Sequence, residues 1–296
     1  MKGLTNVNPF SIFYKNGVIM DIRQRNIDVF NDTMRQIKNS PMLTESVKHS
    51  IKNQVFYSDG SSMEYFKSGK TAYFPEPATI EVSQRGSFDA ARRYSGSVCV
   101  LNFASATNPG GGVDKGANAQ EECLCRCSTL YPCLSIDGVK NVFYAPHRAN
   151  GTALHNDDII YTPKVKIIKS DNYNNLFSYK DVNVITCAAP NLRETPANAY
   201  NHENGEGVKI SNEELQKLHE SRALKILSCA AFHMNDTVIL GAFGCGAFKN
   251  PPEIVASAYK KVIDENFTHT FKHIEFAVYC GRDDTNYQVF KSVFED

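Results

Sequence analysis

Several stretches of this chain are apolar on successive residues instead of alternate ones, and that limits the folds open to it. Residues 98–103 and 182–188 are the clearest, and 237–241 and 274–279 read as further strands. A strand with one wet face alternates apolar and polar residues, whereas a strand covered on both faces reads as a continuous apolar run. Helical repeats lie between these runs. Over 211–233, Leu215, Leu218, Ala223, Ile226, Leu227 and Ala230 form one apolar face. Shorter helical patterns cover 87–94, 119–130, 251–263 and 286–294, and 79–83 alternates as a short strand. Strands interleaved with helices predict an α/β fold, a sheet sandwiched by helices on both faces.

The first 75 residues differ in texture. Ile27, Phe30, Met34 and Ile37 recur at three and four residues, which predicts an amphipathic helix over 21–38. Asn39-Ser40-Pro41 breaks it, and Leu43, Val47, Ile51 and Val55 then repeat every fourth residue as a second helix. Residues 57–63 are polar and carry Gly and Ser, so a loop is expected there. Pro75 and Pro77 mark the change. The expected organisation is an N-terminal helical accessory segment over 1–75 and a main domain over 76–296.

Charge and cysteines exclude several classes. The 32 basic and 32 acidic residues cancel, whereas a coat-binder of nucleic acid is normally strongly basic; no direct nucleic-acid binding is expected. No apolar run is long enough for a transmembrane helix, and the N-terminal MKGLTNVNPFSIF lacks a secretory core, so no membrane partner is expected. Nine cysteines in a chain of this length read as reduced thiols and a cytoplasmic setting, or a nuclear one in a eukaryotic cell. Cys123, Cys125, Cys127 and Cys133 crowd together, but without the two-residue gaps of common zinc pairs. On a helix, Cys123 and Cys127 share a face and Cys125 points elsewhere. Buried small side chains are the preferred reading and a metal protein built on these four thiols the alternative; no metal and no cofactor is assigned.

Two glycine-bearing loops each follow a predicted buried strand, where α/β sheets place ligands. The first carries Asn108, then Gly110, Gly111 and Gly112, and leads to Gln120-Glu121-Glu122 at the start of a helix. Consecutive glycines permit positive φ and close approach of backbone to a ligand. Asn118 is a candidate helix cap that puts Glu121 at the capping-box position and leaves Glu122 with no capping role. The second loop carries Gly244, Cys245, Gly246, Ala247 and Phe248; Asn250 reads as the next helix cap, with Pro251 and Glu253 in its first turn. Gly244 and Gly246 are expected to expose N–H groups to a phosphate. Neither loop is a Walker motif or a dinucleotide fingerprint. Valine at Gly111 or Gly246 is expected to weaken ligand binding more than folding, because a β-branched residue resists positive φ and fills space near the phosphates.

The run GGGVDKGANAQEE resembles the signature of poly(ADP-ribose) glycohydrolases: three glycines, a short gap and Gln-Glu-Glu. VITCAAPNL and GAFGCGAFKNPP resemble other loops of the bacterial-type branch of that family, and the resemblance spans roughly 76–296, with the N-terminal helices similar to that branch's short extension. It implies a macrodomain-like mixed sheet and a macrodomain-like catalytic domain over 76–296. It implies a glycosidase that cleaves ribose–ribose O-glycosidic bonds in poly(ADP-ribose) and releases ADP-ribose, acting on free chains or on ADP-ribosylated proteins. By the same resemblance Glu122 is the general acid/base, and Glu121 holds ribose hydroxyls. Gly110, Gly111 and Gly112 wrap the diphosphate, with Gln120 beside them in the signature, and Asn108 contacts ribose. Gly244, Cys245, Gly246 and Ala247 form a second phosphate loop, and Phe248 packs on the terminal ribose.

The residue types suit that chemistry. An oxocarbenium-like transition state needs a proton donor at the leaving oxygen and an activated water. A diphosphate held by backbone N–H groups needs no basic surface, in keeping with a neutral chain. The helix dipole favours Glu122 as carboxylate, whereas Glu121 and a bound diphosphate oppose it. An ADP-ribose-binding module and a mono-ADP-ribosyl hydrolase are the alternatives; a binding module has no need of an acid, which the intact Gln120-Glu121-Glu122 supplies.

Overall fold

The computed structural model describes residues 12–15, 18–60, 62–69, 71–197, 207–281 and 283–295. A short hairpin, β1 (Ile12–Lys15) and β2 (Val18–Asp21), leads into α1 (Ile22–Asn39) and α2 (Pro41–Lys52). Then come β3 (Val55–Tyr57), α3 (Ser62–Ser68), β4 (Thr79–Ser83), α4 (Ser87–Ala91) and β5 (Val98–Ala104). After the first glycine loop follow α5 (Gln120–Cys127), α6 (Leu130–Leu134), α7 (Asp137–Val139) and α8 (Ala145–Asn150). The chain closes with β6 (Ile159–Lys169), β7 (Asn175–Ala188), α9 (Asn212–Phe232), β8 (Thr237–Leu240), α10 (Pro252–Asn266), β9 (His273–Ala277) and α11 (Thr285–Glu295). Among the described residues no helix is long and apolar enough to cross a membrane.

Seven strands form one mixed sheet in the order β3-β6-β7-β5-β8-β9-β4. β5 lies at its centre, parallel to β7 on one side and β8 on the other. Parallel pairing continues through β9 to β4, while β6 runs antiparallel to β7 and β3 antiparallel to β6. The continuous apolar runs arise because alternate residues enter two different cores. Cys99 and Leu101 of β5, Ile185 and Cys187 of β7, and Val238 and Leu240 of β8 meet α9, α10 and α11. Val98 and Val100, Val182 and Val184, and Ile239 meet α1, α4 and α5 on the other face.

Besides the N-terminal hairpin, two strands of the main sheet escape the sequence patterns. β6 contains Pro163, which counts against a strand because it cannot donate to the ladder. The structure accommodates it with a register shift between Thr162 and Val165 and a positive φ at Lys164. β3 begins at Val55, which continues the every-fourth-residue repeat of α2, but α2 stops at Lys52. The helix expected over 119–130 is also broken. Ser128 turns extended and bridges to Ile167, its hydroxyl donating to the Leu124 carbonyl and accepting from the Leu130 N–H.

The N-terminal segment is built into this sheet. β3 pairs with β6, and α1 lies along α5, with the buried Asn26 amide donating to the Gly116 carbonyl (3.1 Å) and the Thr33 hydroxyl to the Arg126 carbonyl (2.5 Å). Midway along α9 the buried Arg222 donates to Asp157 (2.6 Å) and to the carbonyls of Ala188 (2.9 Å) and Leu154 (3.2 Å). It thereby pins the C-terminal end of β7. Removing one member of a buried pair leaves the other charge unmatched, at a cost of about 3–5 kcal/mol. Arg222→Met is therefore expected to lower unfolding free energy by about that amount in urea titrations; a loss within about 0.5 kcal/mol, typical of surface positions, would refute the anchoring role.

Candidate active site

The C-terminal ends of β5 and β8 open onto a cleft of about 960 Å³, a volume suited to a nucleotide-sized ligand. The chain leaves β5 towards α5 and β6, then returns through α9 to β8 on the other side of β5. That reversal is the switch point at which such sheets bind ligands. The first glycine loop, residues 117–119 and the start of α5 form one wall, and the second glycine loop forms another.

Gln120 ties α5 to the sheet. Its carbonyl oxygen accepts the Phe103 N–H (2.9 Å), and its amide donates to the Leu101 carbonyl (2.7 Å) and the Ser87 hydroxyl (3.0 Å). Both amide hydrogens thus serve the protein, although the residue borders the cleft.

The two glutamates that follow are buried side by side, Glu121 3% and Glu122 6% exposed. Glu121 accepts the Ser105 N–H (2.7 Å) and the Asn102 amide (3.3 Å), and draws a backbone hydrogen bond from Gly110. Burial, reinforced by the neighbouring Glu122, pushes its carboxyl up to about 8. Glu122 accepts the Gly112 N–H (2.9 Å) on one oxygen and the Ala119 N–H (2.9 Å) on the other. The capping role expected of Glu121 therefore belongs to Glu122. The helix starts one residue later than its polar residues suggest, with Ala119 as N-cap, and only the glutamate half of the box exists because an alanine methyl accepts nothing. Asn118 is drawn away from the cap: its side-chain oxygen accepts from the Arg126 guanidinium (3.0 Å), which also donates to the Ala117 carbonyl (2.6 Å).

Gly111 lies beneath both carboxylates. Its φ is +58°, and a Cβ there would overlap Glu122 Oε1 and stand 3.4 Å from Glu121 Oε2. The glycine N–H groups face the protein: Gly110 serves Glu121, Gly111 the Asn108 carbonyl (3.0 Å) and Gly112 Glu122. Two of the three glycine N–H groups in the first loop thus hold carboxyl groups.

The second loop differs. The N–H groups of Phe243, Cys245, Lys249 and Asn250 bond within the loop. Those of Gly246, Ala247 and Phe248 have no acceptor among the described residues, and all three residues line the cleft. Asn250 is not the helix cap, which is Pro251, because its side chain is needed inside the loop. Its amide donates to the carbonyls of Pro190 (2.7 Å) and Gly244 (3.1 Å), and its oxygen meets His219 Nε2 (2.9 Å). Gly244 has φ +78°, and a Cβ there would lie 2.5 Å from Asn250 Nδ2. Gly246 has neither a positive φ nor an atom within 4 Å of a built Cβ, so the backbone reason for a glycine fails at that position.

The cleft brings together Gly111, Gly112, Gln120, Glu121, Glu122, Gly244, Gly246, Ala247 and Phe248. Asn108, Gly110 and Cys245 lie outside its lining. Gly110 packs under Tyr131, and Cys245 packs against the core on the α10 side. Sequence reasoning missed Phe103 and Ser105 at the end of β5, Asp171 and Tyr173 in the β6–β7 turn, Arg193 and Tyr279. Only the Asp-Asn-Tyr-Asn turn composition after β6 offered a local signal, and it marks a turn without marking a site.

A central parallel sheet, a cleft at its switch point, one loop binding two carboxylates and a second offering free N–H groups define a macrodomain-type α/β protein with acid residues in its ligand cleft. The comparisons agree. A family model for the microbial-type PARG catalytic domain matches residues 30–170. The poly(ADP-ribose) glycohydrolase structure from Thermomonospora curvata is 28% identical, with a TM-score of 0.80 over 92% of this chain and 100% of that one. The same organism's enzyme bound to the inhibitor ADP-HPD gives 28% identity and a TM-score of 0.79 over 91% and 99%. The Deinococcus radiodurans enzyme in complex with ADP-ribose is 30% identical, with a TM-score of 0.72 over 84% and 97%. No curated protein sequence matches the chain. The chain belongs to the microbial-type poly(ADP-ribose) glycohydrolase family.

Two outcomes test this geometry. Gly111→Ala forces a side chain into the positive-φ position beneath Glu122 and is expected to cost about 1–3 kcal/mol by thermal melts, whereas Gly246→Ala stays within about 0.5 kcal/mol of the parent; equal costs would refute the assigned difference. The second concerns Glu121. Between its ordinary 4.5 and about 8 the folded chain keeps this proton and the unfolded chain has released it. The parent therefore loses stability as pH rises through that window, and the loss is complete above it. Glu121→Gln removes that slope, so its melting temperature relative to the parent is expected to climb from about pH 4.5 to about pH 8. A gap independent of pH would contradict the buried, protonated state.

Proposed function

We propose that the chain hydrolyses ribose–ribose O-glycosidic bonds of poly(ADP-ribose), with Glu122 as the single general acid/base. What carries the reading is the placement of Glu122, fixed by two backbone N–H groups at the wall of a cleft whose opposite loop presents unengaged N–H groups. The diphosphate of a terminal ADP-ribose unit is gripped by the N–H groups of Gly246, Ala247 and Phe248, and the Phe248 ring packs on the ribose. Backbone donors bind such an anion without a basic surface, in keeping with 32 basic and 32 acidic residues. Glu122 gives its proton to the leaving ribosyl oxygen as the anomeric C–O bond breaks. The oxocarbenium-like centre is then attacked by water, whose proton returns to Glu122, regenerating the acid. Glu121, protonated near neutral pH, donates to a ribose hydroxyl and orients the sugar. ADP-ribosylated proteins, which present the same terminal unit, are the macromolecular partners of the site, and ADP-ribose is the product.

Glu122→Gln preserves shape but removes the transferable proton and the later base. Single-turnover hydrolysis of ADP-ribose chains is expected to fall by at least about 10²-fold. Calorimetric binding of ADP-ribose, measured in excess chelator, is expected to persist. Near-normal turnover would overturn the assignment, and loss of binding on chelation would overturn the N–H cradle. Glu121→Gln is expected to lower affinity and rate together, which distinguishes a sugar contact from a purely structural carboxyl.

A further inference from the structure

The four crowded cysteines separate in three dimensions. Cys125 packs beneath the first glycine loop, Cys133 joins a small apolar cluster under α2, and Cys123 and Cys127 alone share one face of α5. Asp171, from the β6–β7 turn, lies against that face. One ligand atom from each of Cys123, Cys127 and Asp171 falls within 4.8 Å of the others. We propose that these three residues form a binding site for a thiophilic divalent cation, zinc in the first instance, on the wall of the catalytic cleft. The inference is independent of the hydrolase reading.

The carboxylate is already oriented. Asp171 Oδ2 accepts the Asp89 N–H at the start of α4 (2.9 Å), which leaves Oδ1 facing Cys123 Sγ at 3.8 Å. Outer contacts of this kind fix ligand direction in metal sites. The turn itself is held firmly: Ser170 N–H bonds the Asn174 carbonyl (2.9 Å), and Arg126 donates to the Tyr173 hydroxyl (3.1 and 2.9 Å). Tetrahedral zinc with bonds of about 2.3 Å to sulfur needs sulfurs about 3.8 Å apart, so rotation about the cysteine side chains closes the present spacing. Cys127 Sγ now donates to the Ser170 carbonyl (3.2 Å) and exchanges that contact for the metal. Binding one Zn²⁺ releases the two thiol protons to solvent, so the charge of the cluster does not change. Asp171 and Cys123 also line the cleft, and three protein ligands leave the fourth position for water. The spacing argument against zinc holds within the segment, but the third ligand comes from another part of the chain.

The test is cadmium and zinc titration of the intact protein. One ion per chain is expected by equilibrium dialysis with elemental analysis, with sulfur-to-cadmium charge-transfer absorption in the ultraviolet. Cys123→Ser and Cys127→Ser are each expected to weaken zinc binding at least about 10²-fold, and Asp171→Asn about 10–10²-fold with the sulfur band kept. Cys280→Ser should bind like the parent. Far-ultraviolet circular dichroism controls folding; should Cys127→Ser misfold, the half-buried Cys123 alone decides the matter. Absence of a sulfur band in the parent, or its survival undiminished in Cys123→Ser, overturns the proposal.

Discussion

Two carboxyl groups buried next to each other need hydrogen-bond partners for both, and the architecture around α5 follows from that requirement. A buried polar group left without a partner costs about 1–3 kcal/mol. Here the donors are backbone groups from the end of β5 and the loop after it: Ser105 and Gly110 for Glu121, Gly112 and Ala119 for Glu122. For these N–H groups to arrive, the loop must pass directly beneath the carboxylates, which is why Gly111 has no room for a Cβ. For the carboxylates to arrive, α5 must dock on β5, which Gln120 enforces through Phe103 and Leu101. α1 then covers α5 from outside, with Asn26 and Thr33 satisfying carbonyls at Gly116 and Arg126.

Much of this frame was legible in the sequence because the sheet is covered on both faces. β5, β7 and β8 declared themselves as apolar runs, since each sends alternate residues into separate cores, and β9 was read as a strand although it buries Glu275 against Ser83 and Arg93. β6 was hidden by Pro163, whose missing N–H is absorbed by a bulge that no local pattern announces. β3 was hidden by coincidence, because Val55 falls in step with the repeat of the helix before it. The site was legible as residue types more than as contacts. Gln120, Glu121 and Glu122 meet in the cleft, but the helix start was misplaced by one residue: Asn118, the better cap by type, is captured by Arg126. Asn250 repeats the lesson, diverted from a cap to the carbonyls of Pro190 and Gly244. Cap preferences describe what a side chain does when nothing else claims it.

The two glycine loops look alike in sequence but solve different problems. In the first, glycines let the backbone come close to protein carboxyl groups, and the N–H groups of Gly110 and Gly112 are committed to them. In the second, Gly244 makes the turn, Asn250 braces it and the N–H groups of Gly246, Ala247 and Phe248 are left for a ligand. This division keeps the buried glutamates and the unengaged N–H groups on separate elements, each anchored to its own strand. A diphosphate drawn to the second loop therefore need not displace the hydrogen bonds that hold Glu122.

α5 gathers these constraints on one short helix. Its first turn carries Glu121 and Glu122, and its next carries Cys123, with Cys127 one turn beyond facing Asp171. The helix is fixed at its start by Gln120 on β5 and along its length by Arg126, whose guanidinium reaches back to Ala117 and Asn118 and outward to Tyr173. Anything that shifts the β6–β7 turn acts on Arg126 through Tyr173, and through Arg126 on the segment that delivers the Ala119 N–H to Glu122. The thiol–carboxylate cluster sits on that same turn, so its occupancy and the placement of the Glu122 carboxyl share one mechanical connection, made of contacts already present in the fold.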